Sequence, residues 1–324
     1  KPQQDDRPDS LIHPDVDLQN SPNFVVALNT TSEEAERRYR AVIRFLGRRY
    51  SRPDGRHGRL GGYVVGNEVQ SHWQWNNMGQ QPAEYVIQQY AKQLRVTYFA
   101  LRKEVDEPRV FASFDHHWAD RFRADPMKAI PGRDFLDGLA RELRATGDFP
   151  WHVAWHPYPE NLFDPEFWDD RDATFAFDSP KITFKNIELL TAYLQREPLL
   201  YRGKPRRVIL SEQGFHAGRG NDGETRQAAA FAASYVRVRA VDGIDAYVLH
   251  RHMDHPHEGG LRLGIRRLGE ERLGAPRQLY SVFQAAGTAS RDEAFEFALP
   301  IVGIKSWSEM LPRRGPFPEN GTTE

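Results

Sequence analysis

Two glutamates stand where a short apolar run gives way to loop-like sequence. Glu68 follows Gly62-Tyr63-Val64-Val65-Gly66-Asn67, and Glu212 follows Arg207-Val208-Ile209-Leu210-Ser211. Both runs are rich in β-branched residues, as strands buried in a parallel sheet are. A carboxylate costs several kcal/mol to bury without a partner, so a buried-strand tip is a poor place for one unless it is used. Two such carboxyl groups flanking one sugar are what double-displacement hydrolysis of a glycosidic bond requires. One is the acid/base and the other the nucleophile, roughly 5 Å apart. The plainer alternative for each glutamate is a structural ion pair with one of the many arginines.

Other side chains with usable chemistry gather after similar runs. Trp73 and Trp75 follow Glu68 on a polar loop, where their faces would stack on a sugar or pack beneath the loop. His116, His117 and Trp118 follow the run Arg109–Phe114. His156 ends the run Trp151–His156, and Tyr158 sits two residues on, between Pro157 and Pro159, as a site residue or as a packed turn. His250, His252, His255 and His257 with Asp254 follow Ile244–Leu249, and added to His116, His117 and His156 they could form a metal site on a barrel rim. Alternating imidazoles on one strand point the same way, and three with an open position would suit a hydrolytic zinc. That reading leaves both glutamates without a role, so the expectation is no metal and no cofactor.

Regular elements must carry these residues. Ser32 is a good N-cap, with Glu33, Glu34 and Glu36 in the first turns, where the dipole favours acids. The helix it opens should run to about Tyr50 with Tyr39, Val42, Ile43 and Leu46 on one face. Strands are expected at 24–29, 62–67, 109–114, 151–156, 207–212 and 244–249. Helices are expected at 82–103, 132–146, 182–196, 224–241 and 276–286. Six βα units of this kind predict an α/β fold of the (β/α)8 TIM-barrel type, with polar residues after each strand at the edge where barrels carry their active sites. The expected organisation is an N-terminal arm or loop over 1–23, a catalytic barrel domain over 24–290 and a C-terminal extension over 291–324, within which 295–304 could supply a strand.

The bulk composition narrows the classes. The 324 residues are 39% hydrophobic and 12% aromatic, with a formal net charge of −1 and no cysteine. Absence of cysteine excludes disulfides, thiolate metal sites and a cysteine nucleophile. A charge near zero gives no field for nucleic acid, and no segment has the 18 or more apolar residues of a membrane span. The N-terminus is polar and carries no apolar signal segment, so the chain is cytoplasmic or starts after a removed region. A secreted or periplasmic location is the expectation carried forward.

The motifs together resemble clan A of the retaining glycoside hydrolases. The resemblance rests on Gly66-Asn67-Glu68-Val69 with Ser71-His72-Trp73, on His156-Pro157-Tyr158-Pro159, on Ile182-Thr183-Phe184-Lys185-Asn186-Ile187, on Ser211-Glu212-Gln213-Gly214-Phe215 and on Gly259-Gly260-Leu261-Arg262-Leu263-Gly264. It covers residues 10–310 and extends to a bacterial family assigned to that clan. It implies that Glu68, on the clan's fourth strand, is the acid/base and that Glu212, on the seventh, is the nucleophile. Asn67 would bond the sugar 2-hydroxyl and Tyr158 would bond the nucleophile. His156 would line the same floor, with Trp73, Trp75, His116, His117, His250 and His252 as further substrate contacts.

The pattern departs from the clan in two places. Clan members place a tryptophan near the end of the eighth strand, where this chain offers His250 and His252. The six units correspond to strands three to eight, so the first two strands and an arginine of the second are missing. The expectation is a chain cut from a longer protein, its missing N-terminal segment once filling a gap between the strands at 24–29 and 244–249. The function implied is retaining hydrolysis of a β-linked polysaccharide or oligosaccharide, with carbohydrate as partner and no nucleic acid or membrane. Two alternatives stand beside it: a metal-dependent barrel hydrolase using the histidine cluster, and an inactive carbohydrate-binding barrel fragment.

Overall fold

The computed structural model describes residues 11–20, 23, 25–220, 222–269 and 273–321. Most of the expected arm (1–10, 21 and 22) and Phe24, the first residue of the expected first strand, lie outside the described residues. The chain forms two compact units, one of Lys1–Ala154 with Gln195–Arg206, the other of Trp155–Leu194 with Arg207–Glu324.

The first unit begins with α1 (Glu33–Tyr50), whose N-cap Ser32 accepts the Ala35 amide at 3.2 Å. Its buried stripe is Ala35, Tyr39, Ile43 and Gly47. Val42 is 45% exposed, so the apolar face runs at strict i,i+4 spacing and excludes it. Then come β1 (Tyr63–Val65), the short α2 (His72–Trp75), α3 (Ala83–Leu101), β2 (Val110–Asp115), α4 (Gly132–Ala145) and β3 (Trp151–His156), which runs on into the second unit. β1 and β2 pair in parallel with Val64 opposite Phe111. Parallel neighbours need a crossover, and α3 supplies it, packed against both α1 and α4. Every residue of β2 is buried, which explains its continuous apolar run. The segment 195–206 is tied to this unit by Arg206, whose guanidinium donates to the Phe149 carbonyl at 2.8 Å and lies 4.3 Å from the Trp151 ring.

The expected strand at 24–29 is reduced to isolated bridges, Val26 with Asn77 and Leu28 with Ile12. Ala27 donates to Asn77 O at 2.8 Å and Asn29 to Leu11 O at 2.8 Å. Its partners face it for single residues only, too short a stretch for a ladder.

The second unit holds α5 (Glu188–Tyr193), β4 (Val208–Leu210), α6 (Gly223–Arg239), β5 (Ile244–Tyr247), α7 (Gln278–Ala285), α8 (Arg291–Phe295) and α9 (Leu299–Val302). β4 and β5 are parallel, with a register shift between Val208 and Ile209, and α6 crosses between them. The alanines 228–230, 232 and 233 of α6 are all buried. Phe231 sits among Tyr235, Tyr247, Phe283 and Phe295 at centroid distances of 5.4–6.3 Å. The expected helix at 182–196 is shorter because Thr183 and Asn186 form a capping box around a single 3-10 turn before α5.

The segment 295–304 is helical rather than a strand. Phe295, Ala298 and Val302 are buried at helical spacing. Pro300 lies in the first turn of α9, where a missing amide is harmless, and Gly303 ends it at φ 79°. This C-terminal stretch packs on α6, and Arg237 donates to the Met310 carbonyl at 3.0 Å. Among the described residues no helix is long and apolar enough to cross a membrane.

Candidate functional site

In the first unit the end of β1 is shaped by its backbone. Tyr90 donates to the Val65 carbonyl at 2.6 Å. Gly66 then turns at φ 74°, and an added Cβ there would lie 2.8 Å from Val69 Cγ1. Glu68 itself is left-handed at φ 42°, ψ 53°. That conformation costs a residue with a Cβ about 1–2 kcal/mol, and among the described residues only Arg202 shares it with Glu68 outside glycine. Such strain gathers at functional sites. The Glu68 amide donates to Ser113 Oγ of β2 at 3.1 Å, and the residue is 8% exposed.

Around it, Asn67 and Trp75 are half-buried, whereas Trp73 is 4% exposed with the Lys128 ammonium 5.4 Å from its ring. Trp75 therefore keeps the more accessible ring of the two. At the end of β2, Asp115 accepts Ser71 Oγ at 2.5 Å and the His117 amide at 2.7 Å. His117 Nδ1 lies 2.7 Å from Asp120 Oδ1, and the His116 ring stacks on it at 4.7 Å. Asp115 and Ser113 were not singled out from sequence. The signal was there, since Ser113-Phe114-Asp115 closes a strand as Asn67-Glu68 does.

In the second unit, the end of β4 is shaped by side chains. The Tyr158 hydroxyl donates to Glu212 Oε1 at 3.1 Å. His156 Nε2 lies 3.0 Å from Ser211 Oγ, and the Ser211 amide donates to the Trp155 carbonyl at 3.3 Å. Tyr158 and His156 are buried and Glu212 is half-buried. The Gln213 side-chain amide bonds the Val248 carbonyl, and the His250 amide donates to the Gln213 carbonyl at 2.7 Å. A Cβ on Gly214 would lie 2.1 Å from the His250 carbonyl oxygen, so the two segments meet backbone to backbone.

The histidine cluster after β5 is dispersed. His250 Nε2 faces Glu258 Oε1 at 3.4 Å, while His252, His255 and His257 are exposed. Asp254 is taken by Arg277 in a buried pair with contacts of 3.0 and 2.6 Å. Among the described residues, these four histidines and Asp254 do not gather into a set of three ligands. Within 250–257, one imidazole faces a carboxylate and the carboxylate of the cluster is taken by a guanidinium.

The family of unknown function DUF5722 matches residues 1–310, and the chain belongs to it. No curated protein matches. Among solved structures, the chain is similar to a hyperthermophilic β-glucosidase from Pyrococcus furiosus, at 15% identity and TM-score 0.53, over 84% of this chain and 62% of that one. It is also similar to a family 39 glycoside hydrolase from the gut symbiont Bacteroides cellulosilyticus WH2, at 14% identity and TM-score 0.51, over 81% of this chain and 46% of that one. The chain spans between about half and three-fifths of the length of these structures. Both are glycosidases by name, and the likeness to them is one of fold.

Proposed function

We propose that this protein is a retaining glycoside hydrolase acting on a β-linked oligosaccharide or polysaccharide, with Glu212 as nucleophile and Glu68 as acid/base. The observation that carries the reading is the 3.1 Å hydrogen bond from Tyr158 to Glu212 Oε1 at the end of a parallel strand. A hydroxyl that can only donate to a carboxylate aims that group and supports its negative charge, as an attacking nucleophile needs.

In the first step a Glu212 oxygen bonds to the anomeric carbon as the bond to the leaving oxygen breaks, and Glu68 gives its proton to that oxygen. In the second step Glu68, now a carboxylate, takes a proton from water. The water oxygen attacks the anomeric carbon, the ester to Glu212 breaks, and the released sugar keeps its configuration. Asn67 would bond the 2-hydroxyl. His156 and Tyr158, with Trp73, Trp75, His116, His117, His250 and His252, would contact the sugar chain. The reaction requires the two carboxyl groups to meet across one sugar at roughly 5 Å.

The test is covalent trapping. Incubation with activated 2-deoxy-2-fluoro glycosides, followed by peptide mapping, should find the sugar on the peptide containing Glu212. A label on another carboxylate, or turnover that inverts the anomeric centre, would sink the assignment.

A further inference from the structure

The second unit has a feature at its strand ends that this reaction leaves unused. Asn161, Phe163 and Asp164, from the segment after β3, join Arg219, Asp222 and Arg226, from the segment after β4 and the first turn of α6, around a cavity of about 380 Å³. That size falls within the range of roughly 300–1,000 Å³ typical of small-molecule pockets. Ligands in sheets with parallel strands bind beyond the strands' carboxyl ends, and both lining segments leave such ends.

Phe163 is 54% exposed although polar groups surround it. Its ring meets His216 edge to face, centroids 5.2 Å apart at 65°. His216 is buried, and its Nδ1 accepts the Arg262 amide at 3.0 Å, so the ring rests on a fixed base. The Phe163 amide is held by Asn161 Oδ1 at 3.1 Å. Arg226 is paired with Glu166 at 2.6 Å, whereas exposed Arg219 has no ion-pair partner among the described residues.

With Arg226 paired to Glu166, the lining sets Arg219 against Asp164 and Asp222. No positive field is left to select an anion. An accessible aromatic ring beside both donors and acceptors instead matches a pyranose, which offers an apolar C–H face and a rim of hydroxyls that donate and accept. We propose that this cavity is a subsite for a neutral hexopyranose unit, with Phe163 as its stacking platform and Arg219 and Asp222 as partners of its hydroxyls. The proposal rests on the glycosidase reading and deepens it by naming the substrate class.

The experiment uses the full chain carrying Glu212→Gln, so that bound sugar is not consumed. Calorimetry measures binding of cellohexaose, laminarihexaose and mannohexaose, with a galacturonate hexamer as the anionic probe. At least one neutral hexasaccharide should bind. Adding Phe163→Ala should weaken it roughly tenfold, the loss of much of one aromatic contact, while Phe163→Trp should preserve it. In the chain with Glu212 intact, Phe163→Ala should raise KM for that hexasaccharide and leave hydrolysis of a short aryl monoglycoside unchanged. Binding of the galacturonate probe alone, no binding by any neutral probe, or equal affinity with and without Phe163 would each overturn the subsite. If hydrolysis depends on Glu212 but binding ignores Phe163, only the subsite falls. If binding depends on Phe163 but nothing is hydrolysed, only the glycosidase reading falls.

Discussion

The backbone of Glu68 and the carboxylate of Glu212 are held in different ways. The Glu68 main chain follows a glycine turn, is left-handed and donates its amide to Ser113 Oγ. Glu212 is fixed through its carboxylate, which receives the Tyr158 hydroxyl. Under the proposed reaction the difference has a reason. An acid/base must exist in both protonation states within one cycle, and main-chain contacts hold it equally in either state. A nucleophile keeps one charge state until it attacks, and a permanent donor suits it.

Mutating both ends tests that contrast most severely. Glu212→Gln should lower turnover of every substrate by roughly 10⁴-fold or more. Glu68→Gln should cost about 10²–10⁴-fold on sugars with poor leaving groups and little on activated aryl glycosides, which need no proton. Steady-state rates on the two substrate types check this, and equal losses for Glu68→Gln would remove it from the acid role.

A second contrast lies in one buried group of each unit. Burial pushes Asp170 up to about 7, and its buried Oδ2 has no hydrogen-bond partner among the described residues. The folded chain keeps a proton that the unfolded chain sheds near about 3.9. Stability therefore falls as pH rises from about 4 to 7, by at most about 4 kcal/mol. Burial pushes His72 down to about 4, with Nδ1 lacking a hydrogen-bond partner among the described residues and Nε2 3.1 Å from the Met127 carbonyl. The unfolded chain takes up that proton near about 6.5, so stability falls as pH drops from about 6.5 to 4, by at most about 3 kcal/mol. The slopes oppose each other. Thermal unfolding of Asp170→Asn across pH 4–8 should uncover the acid-side loss, and His72→Gln the base-side loss. A pH profile that neither substitution alters would end this part of the comparison.

The smaller effects separate the two means of support. Tyr158→Phe removes a hydrogen bond to a charged group, worth about 1.5–3 kcal/mol, and should lower kcat/KM roughly 10- to 100-fold with the melting temperature nearly unchanged. Ser113→Ala removes the acceptor of the Glu68 amide and should cost about 1 kcal/mol of stability, read as a lower melting temperature. If Tyr158→Phe instead shifted stability and left kcat/KM alone, the side-chain support of Glu212 would be structural.

Legibility in the sequence followed the range of the forces involved. The strand Trp151–His156 and the Ser32 cap were readable because local pattern and capping chemistry decide them. The pairing of Tyr158 with Glu212 was expected through the family resemblance, and the structure has it. The apolar run 295–304 misled because alternation and helical spacing overlap in so short a stretch, and contact with α6 decided it. Phe163 and Asp170 gave no signal, since exposure of a phenylalanine and burial of an aspartate are set by distant segments. The left-handed backbone of Glu68 was equally invisible, because only Gly66 beside it advertises an unusual turn.

The contact at Gly214 offers a way to sort relatives by a single letter. With 2.1 Å between a would-be Cβ and the His250 carbonyl oxygen, no other residue fits while the two segments keep their courses. Any homologue with a side chain at the equivalent position must have rerouted one of the two loops. Such sequences form a natural boundary inside the family, beyond which roles assigned to the neighbourhood of His250 should not be transferred by alignment.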